Sequence, residues 1–221
     1  TVCRQEGGAA MMAEAWGKLT GAPGVCFVTR GPGATNASAG IHVARQDSTP
    51  MILFVGQIAR SDRDREAFQE VDYRQMFGGL AKWVAEIDPT DRLPGYVARA
   101  FDLAQSGRPG PVVLALPEDM LSAETDAPDL PPAPRPVAGV SDAQLGAIGE
   151  ALAGAERPLV VPGGALWSQQ DADRLTRFMT EYSAGVPVDR DLLMTAFREM
   201  LLNAMEHGAG FDPEKVIEVT A

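Results

Sequence analysis

The chain has 221 residues, 45% of them hydrophobic, 22% charged and 6% aromatic, a composition inside the globular range and away from disordered or fibrous chains. Nineteen Lys and Arg against 30 Asp and Glu leave a formal charge of −11, which repels a phosphate backbone and sets nucleic acid aside as a partner. No apolar run of roughly 18 residues is present, and no signal-type apolar region follows the opening Thr1-Val2-Cys3-Arg4, so the expected setting is cytoplasmic with no membrane, and the chain is expected to open inside a fold.

The predicted elements alternate along the chain. A helix over 7–19 is followed by a continuously apolar strand over 24–29, an Ala-rich helix over 34–45 and a second apolar strand over 51–55. Continuous rather than alternating apolar runs belong to strands buried on both faces of a parallel sheet. Residues 56–77 are polar and too long for an ordinary connection, which marks a functional loop; its cluster from Arg60 to Glu66 reads as a solvated face. A strand over 82–87, a helix over 93–105 with Asp88 and Asp91 as candidate caps, and an apolar strand over 111–116 complete the pattern. Strand and helix in alternation predict an α/β fold, doubly wound, with a mostly parallel sheet flanked by helices.

From 117 the composition shifts to Pro, Ala and Asp, including Leu130-Pro131-Pro132-Ala133-Pro134-Arg135-Pro136, which favours extended geometry over helix or sheet. The expected division is therefore a first domain over 1–120, a Pro-rich linker over 121–140, a partial second α/β unit over 141–188, and a separate segment over 189–221. The second unit holds helices over 142–154 and 170–182, a strand over 158–162, a turn at Gly163-Gly164 and a short strand over 186–188. Beyond it lie an amphipathic helix to His207 and a strand over 215–220. No internal repeat is visible. Minor features are read plainly: Cys3 and Cys26 as reduced core thiols, Met11 and Met12 as core filler, Trp16, Trp83 and Trp167 as packing anchors, and His42 as partly buried.

Five segments carry chemistry. Gln5-Glu6-Gly7-Gly8 places a carboxylate at a helix start, taken singly a favourable dipole partner. Thr29-Arg30-Gly31-Pro32-Gly33-Ala34-Thr35-Asn36 lies between a buried strand and a helix, where Gly31 and Gly33 permit a tight turn and close approach and Pro32 presets its φ. It is no dinucleotide fingerprint, because Asn36 stands where a third glycine would be. Asp47-Ser48-Thr49-Pro50, Gly56-Gln57 and Phe68-Gln69-Glu70 follow in order. This series resembles the N-terminal pyrimidine-binding domain of thiamine diphosphate enzymes of the acetolactate synthase group. The resemblance runs from Thr1 through Gly107-Arg108-Pro109-Gly110-Pro111-Val112 to Pro117-Glu118-Asp119, and Glu156-Arg157-Pro158-Leu159-Val160-Val161-Pro162-Gly163-Gly164 is similar to the start of the group's central domain.

The resemblance implies that Glu6 hydrogen-bonds N1′ of the aminopyrimidine ring, favouring the imino tautomer that removes the thiazolium C2 proton. A carboxyl meeting a neutral ring in a dry pocket is expected to have a raised pKa. It further implies that Gly31, Pro32, Gly33 and Asn36 line the pyrimidine site and that Gln69 reaches the reacting centre of a neighbouring subunit's cofactor. The implied reaction is attack on a 2-keto acid such as pyruvate, loss of carbon dioxide and addition to a second carbonyl compound, a step of branched-chain amino acid biosynthesis, with the cofactor as electron sink. A homo-oligomer associating through the Glu6 and Gln69 face is expected.

The group's members begin with a strand and a helix ahead of the segment that matches Thr1, and hold magnesium and diphosphate through a Gly-Asp-Gly motif. No Gly-Asp-Gly occurs in these 221 residues, so the chain by itself is expected to be catalytically incomplete. The group's histidine-glutamate pair is Gln5-Glu6 here. Some members carry FAD in the central domain; nothing in this sequence supports one. A further segment, Arg198 to Gly208, sets Glu199, Asn203 and His207 on one helix face and is similar to the N-box of histidine-kinase-like ATPases, in which the asparagine contacts ATP-bound magnesium and the glutamate orients a water. That likeness implies a mosaic with its seam near 187–191. The alternatives to a thiamine diphosphate enzyme are a histidine-kinase-like or anti-sigma-like ATP-binding regulator, and a ligand-binding α/β module without chemistry.

Overall fold

A computed structural model describes residues 1–131, 134, 139–156, 163 and 168–183. In order, the elements are α1 (Glu6–Thr20), β1 (Gly24–Val28), α2 (Gly31–Gln46), β2 (Met51–Gln57), α3 (Tyr73–Phe77), β3 (Trp83–Glu86), α4 (Leu93–Gln105), β4 (Pro111–Pro117), α5 (Glu118–Leu121), α6 (Asp142–Ala153) and α7 (Gln169–Ser183). The four strands form one all-parallel sheet in the order β1-β2-β4-β3. The two central strands, β2 and β4, are buried almost throughout, as their unbroken apolar runs require.

Alternate residues face two separate cores. Leu53, Val55, Val113 and Ala115 pack with Ala10 and Ala13 of α1, Ala34, Ala37 and Ile41 of α2, and Tyr73 and Phe77 of α3. Ile52, Phe54, Val112 and Leu114 pack on the opposite face with Ala100 and Ala104 of α4 and Met120 of α5. The sheet is thus covered on both sides, as in a doubly wound fold. Among the described residues β1 is an edge strand, and Phe27 on it stays 68% exposed while stacking on Phe54 with ring centroids 4.6 Å apart.

Small residues let α1 come close to its neighbours. A Cβ on Gly40 would stand 2.6 Å from the Cβ of Ala10, and one on Gly24 would stand 1.8 Å from the carbonyl oxygen of Ala13. Helix α1 ends on Gly21 at φ 69°, whose N–H donates to the Gly17 carbonyl at 2.9 Å, the left-handed stop that glycine supplies without a Cβ clash.

Several expectations are corrected. Helix α2 begins at Gly31 rather than 34, since Pro32 sits in its first turn where a missing N–H costs nothing. Gly31 and Gly33 have no positive φ, so closeness, not turn geometry, explains them. Arg92, not Asp88 or Asp91, is the N-cap of α4. The 56–77 segment contains a 3-10 turn at Arg60–Asp62 and the helix α3. Two of its arginines are pinned: Arg60 Nε donates to Asp119 at 2.7 Å, and Arg63 meets Glu86 and Asp88. Cys26 is buried, but Cys3 is half-buried and outside any strand. Met11, Met12 and Trp16 are exposed on α1, Trp16 by 59%, because the inward face of α1 is taken by Ala10, Ala13, Glu14 and Gly17; His42 is exposed on α2, whose buried face is formed by Ala37, Gly40, Ile41 and Ala44. Trp83 does act as an anchor, stacked on Tyr96 at 5.7 Å. The helices over 142–154 and 170–182 correspond to α6 and α7. Trp167, the strands over 158–162, 186–188 and 215–220, the helix to His207 with Glu199 and Asn203, and the seam near 187–191 lie outside the described residues.

Candidate functional site

Topology sorts the sequence motifs onto opposite ends of the sheet. Because α1 runs antiparallel to β1, its first residue, Glu6, lies at the carboxyl end of the strands; the start of α2 follows directly from β1, and Gly56 and Gln57 close β2 at the same end. That is the end at which open parallel sheets bind ligands. The Asp47-Ser48-Thr49-Pro50 and Gly107-to-Val112 segments fall on the opposite end and act as structural ties. Arg108 Nε donates to Ser48 Oγ at 2.7 Å and its Nη2 to the Arg45 and Gln46 carbonyls at 3.1 Å. Buried Thr49 donates to Glu14 at 3.0 Å, and Lys18 bridges Glu14 and Asp47.

At the carboxyl end, Gln5 caps α1, its Oε1 accepting the Gly8 N–H at 2.7 Å. The cap fixes the first turn and with it Glu6, whose Oε2 accepts from Asn36 Nδ2 at 3.1 Å. A Cβ on Gly33 would stand 3.6 Å from Glu6 Oε1 and 2.8 Å from Thr29 Cγ2, and one on Gly7 would stand 3.1 Å from the Asn36 carbonyl oxygen. The glycines therefore leave the room that lets the two helix starts meet around the carboxylate. The Asn36 hydrogen bond, followed by Glu6's own backbone N–H, holds the Glu6 carboxyl below the usual glutamate range, with burial a smaller opposing push. The expected raised pKa is thus reversed in the free chain: Glu6 is only half-buried, and donated hydrogen bonds outweigh its desolvation.

Gln69 enters the same region through its backbone. It has φ 66°, and its carbonyl oxygen would stand 3.0 Å from a Cβ on Gly31, so the loop packs on the first turn of α2. Phe68 beside it is 82% exposed. Glu6, Gly33 and Asn36 are therefore in one cluster, with Pro32 exposed on the same helical turn and Gln69 abutting Gly31; no contact joins Gln69 to Glu6.

The sequence reading missed the supports beneath this cluster. Tyr73, buried in α3, donates through its hydroxyl to the Gly56 carbonyl at 3.1 Å, and burial pushes its phenol up to about 12. Gln57 Nε2 donates to the Val71 carbonyl at 2.9 Å while its Oε1 accepts from Ile58. Arg30, the residue before α2, pairs with Glu118 at 3.4 Å. For Asp119, burial raises the carboxyl, but the hydrogen bonds from the Arg60 side chain and N–H together bring it below the usual aspartate range. The alternation of arginine and carboxylate over 60–66 was a visible signal, but its partners Glu86, Asp88 and Asp119 come from distant segments that the sequence alone does not join.

The donor set fits an aminopyrimidine. It offers a carboxylate with one oxygen held by Asn36 and the other beside a residue without a side chain, at the start of a helix. Among the described residues no three His, Cys, Asp or Glu side chains group to hold a metal ion, and no helix is long and apolar enough to cross a membrane.

Comparison with known proteins bears on the same segment. Residues 1–76 match the family described as thiamine pyrophosphate enzyme, N-terminal TPP binding domain. The chain is 35% identical over 178 residues, 80% of its length, to the acetolactate synthase isozyme 2 large subunit of Escherichia coli (strain K12), of which this covers 32%. It is 34% identical over 196 residues to the acetolactate synthase large subunit of Lactococcus lactis, covering 87% of this chain and 34% of that one. The Corynebacterium glutamicum large subunit is 35% identical over 194 residues, 86% of this chain and 31% of its own length. The chain thus spans about a third of the length of the curated relatives it matches.

Proposed function

Because the chain belongs, through its N-terminal domain, to the thiamine diphosphate enzymes of the acetolactate synthase group, we propose that it forms the pyrimidine-binding part of a carboligase that decarboxylates a 2-keto acid such as pyruvate. The observation that carries this reading is the Glu6 to Asn36 hydrogen bond of 3.1 Å at the carboxyl end of a parallel sheet. In the whole protein the reading extends to branched-chain amino acid biosynthesis in the cytoplasm. It divides the chain into the pyrimidine-binding domain over 1–120, a linker over 121–140 and the start of a central domain from 141. Self-association brings the Glu6 and Gln69 face of one copy against another. FAD is not part of the proposal.

Each residue has a task. Glu6 is the proton-holding group: its carboxyl meets a pyrimidine ring nitrogen, and closing water out of the site moves its proton affinity upward from the depressed value of the free chain. Asn36 orients that carboxyl by donating to Oε2, leaving Oε1 directed along the first turn of α2. Gly31 and Gly33 keep side chains away from the ring, and Pro32 stiffens the turn beneath it. Gln69, on a loop packed against Gly31, offers an amide to polar groups of the reacting substrate. When bound, thiamine diphosphate supplies a thiazolium carbon that acts as nucleophile and electron sink, with magnesium as its diphosphate counter-ion.

The test is amide chemical-shift mapping of the chain titrated with thiamine diphosphate and magnesium. Shifts concentrated at Glu6, Gly33 and Asn36, and weakened by Glu6→Gln, are the expected result. Shifts elsewhere with none at these residues would remove the assignment.

A further inference from the structure

The segment from Asp64 to Glu70 has an unusual backbone. Asp64, Glu66 and Gln69, none of them glycine, hold φ of 61°, 53° and 66°, in a region that L residues enter only when something compensates. The compensation is one side chain. Glu70 Oε1 accepts the Asp64 N–H at 2.7 Å and Glu70 Oε2 accepts the Ala67 N–H at 2.9 Å, and the Glu70 N–H itself donates to the Ala67 carbonyl at 2.9 Å. Left-handed residues alternating with ordinary ones turn successive N–H groups toward one point, a concavity that binds anions. Here the anion is the chain's own carboxylate. The Asp64 and Ala67 N–H groups, with that of Arg65, hold the Glu70 carboxyl below the usual glutamate range despite an opposing push from burial.

The clamp sits between two fixed points. On one side, Arg63 is tied to Glu86 and Asp88; on the other, Asp72 caps α3 by accepting the Arg74 and Gln75 N–H groups at 2.9 and 3.1 Å. Between them, the Gln69 carbonyl packs on Gly31 and Phe68 faces outward. We propose that Glu70 is the positioning residue of this loop: its carboxylate, seated in the backbone N–H groups of 64–67, sets where Gln69 stands relative to the first turn of α2. The part of this that concerns cofactor binding rests on the pyrimidine-site reading above; the clamp itself does not.

Two measurements on the full 221-residue chain test it. In the first, trypsin cleavage after Arg65 is timed in the unsubstituted chain, in Glu70→Gln and in the milder Glu70→Asp, with circular dichroism establishing that each is folded. An amide of the same size is a poorer acceptor than a carboxylate, so about tenfold faster cleavage in Glu70→Gln is expected, with Glu70→Asp between the two; equal rates in folded variants would overturn the clamp. In the second, thiamine diphosphate affinity is compared for Glu70→Gln, Gln69→Ala and the double variant. If Glu70 acts through Gln69, the double variant binds no more weakly than Gln69→Ala, whereas fully additive losses would overturn the positioning role. A chain that binds no thiamine diphosphate in any form overturns the cofactor reading, and the cleavage rates then decide the clamp by themselves.

Discussion

Replacing Gly40 by alanine sets two well-known effects against each other. Gly40 lies inside α2, where glycine to alanine ordinarily adds about 1 kcal/mol of stability through helix propensity. Its added Cβ, however, would stand 2.6 Å from the Ala10 Cβ and 2.8 Å from the Ala10 carbonyl carbon, about 1 Å inside the ordinary carbon contact of 3.5–4.0 Å. The atoms in the way are backbone and a methyl group with no rotamer to turn aside. Overpacking of this kind costs about 1–3 kcal/mol, so the net expectation is a loss of about 1 kcal/mol. In urea unfolding with a slope near 2 kcal/mol/M, the midpoint falls by about 0.5 M. The same clash reaches the site, because Gly40 is one turn beyond Asn36 on α2 and Ala10 one turn beyond Glu6 on α1. Pushing the helices apart at one turn lengthens the Glu6 to Asn36 hydrogen bond at the next, and the Glu6 carboxyl climbs back toward its ordinary range. Gly95→Ala, with nothing within 4 Å of the new Cβ, serves as the control that gains stability. A Gly40→Ala chain more stable than the parent, with Glu6 titrating unchanged, would refute the close-packing account of α1 and α2.

Three further outcomes follow from single sites. Asn36→Ala removes the main cause of the lowered Glu6 pKa, so the carboxyl should titrate higher by carbon-detected NMR. A lowered folded value contributes stability that is present above the unfolded pKa and lost as pH falls through the folded one, so the variant should lose less stability on acidification than the parent. Tyr73, pushed up to about 12 by burial, should remain protonated in ultraviolet titration well above the ordinary phenol value near 10; because its folded value is raised, the stability it contributes is present below pH 10 and lost as pH rises toward 12. Iodoacetamide should label half-buried Cys3 in the folded chain and reach Cys26 only on unfolding, since Cys26 is buried and burial pushes its thiol up; equal labelling would contradict the position of β1 under α1 and α2.

What the sequence disclosed divides along the range of the interactions. The four strands and α4 were legible because doubly buried strands show as unbroken apolar runs and α4 has a clear helical period. The sequence alone starts α2 three residues late, since Gly31-Pro32-Gly33 looks like a turn until the close approach of Glu6 and Gln69 explains both glycines. Hydrophobicity alone puts Met11, Met12 and Trp16 inside, because it does not say which face of α1 meets the sheet; alanine and glycine do that here. At the site, the resemblance implies one shared place for Glu6 and Asn36, and a hydrogen bond of 3.1 Å joins them across 30 residues of chain. The carboxylate clamp of Glu70 was not legible, because its partners are backbone N–H groups that carry no side-chain signature, and the sign of the Glu6 shift depended on a hydrogen bond rather than on composition.

Among the described residues β1 pairs with β2 alone, and its other flank bears on how these residues associate in solution. An edge strand presents unpaired N–H and C=O groups, and here Val25 and Phe27 stand exposed beside them, which makes the flank a template for sticking to another copy. Such edges are commonly guarded by lysine, proline or a bulge, yet Gly24–Val28 contains no charged residue. What opposes contact through this flank is then the long-range repulsion between chains that each carry a charge of −11. That repulsion is screened within about 10 Å at 0.1 M salt and about 3 Å at 1 M, while the contact it opposes is apolar and unscreened. Concentrated salt, usually added to keep a protein in solution, should therefore drive this one to associate through that flank, and a single lysine at Phe27 should reverse the trend.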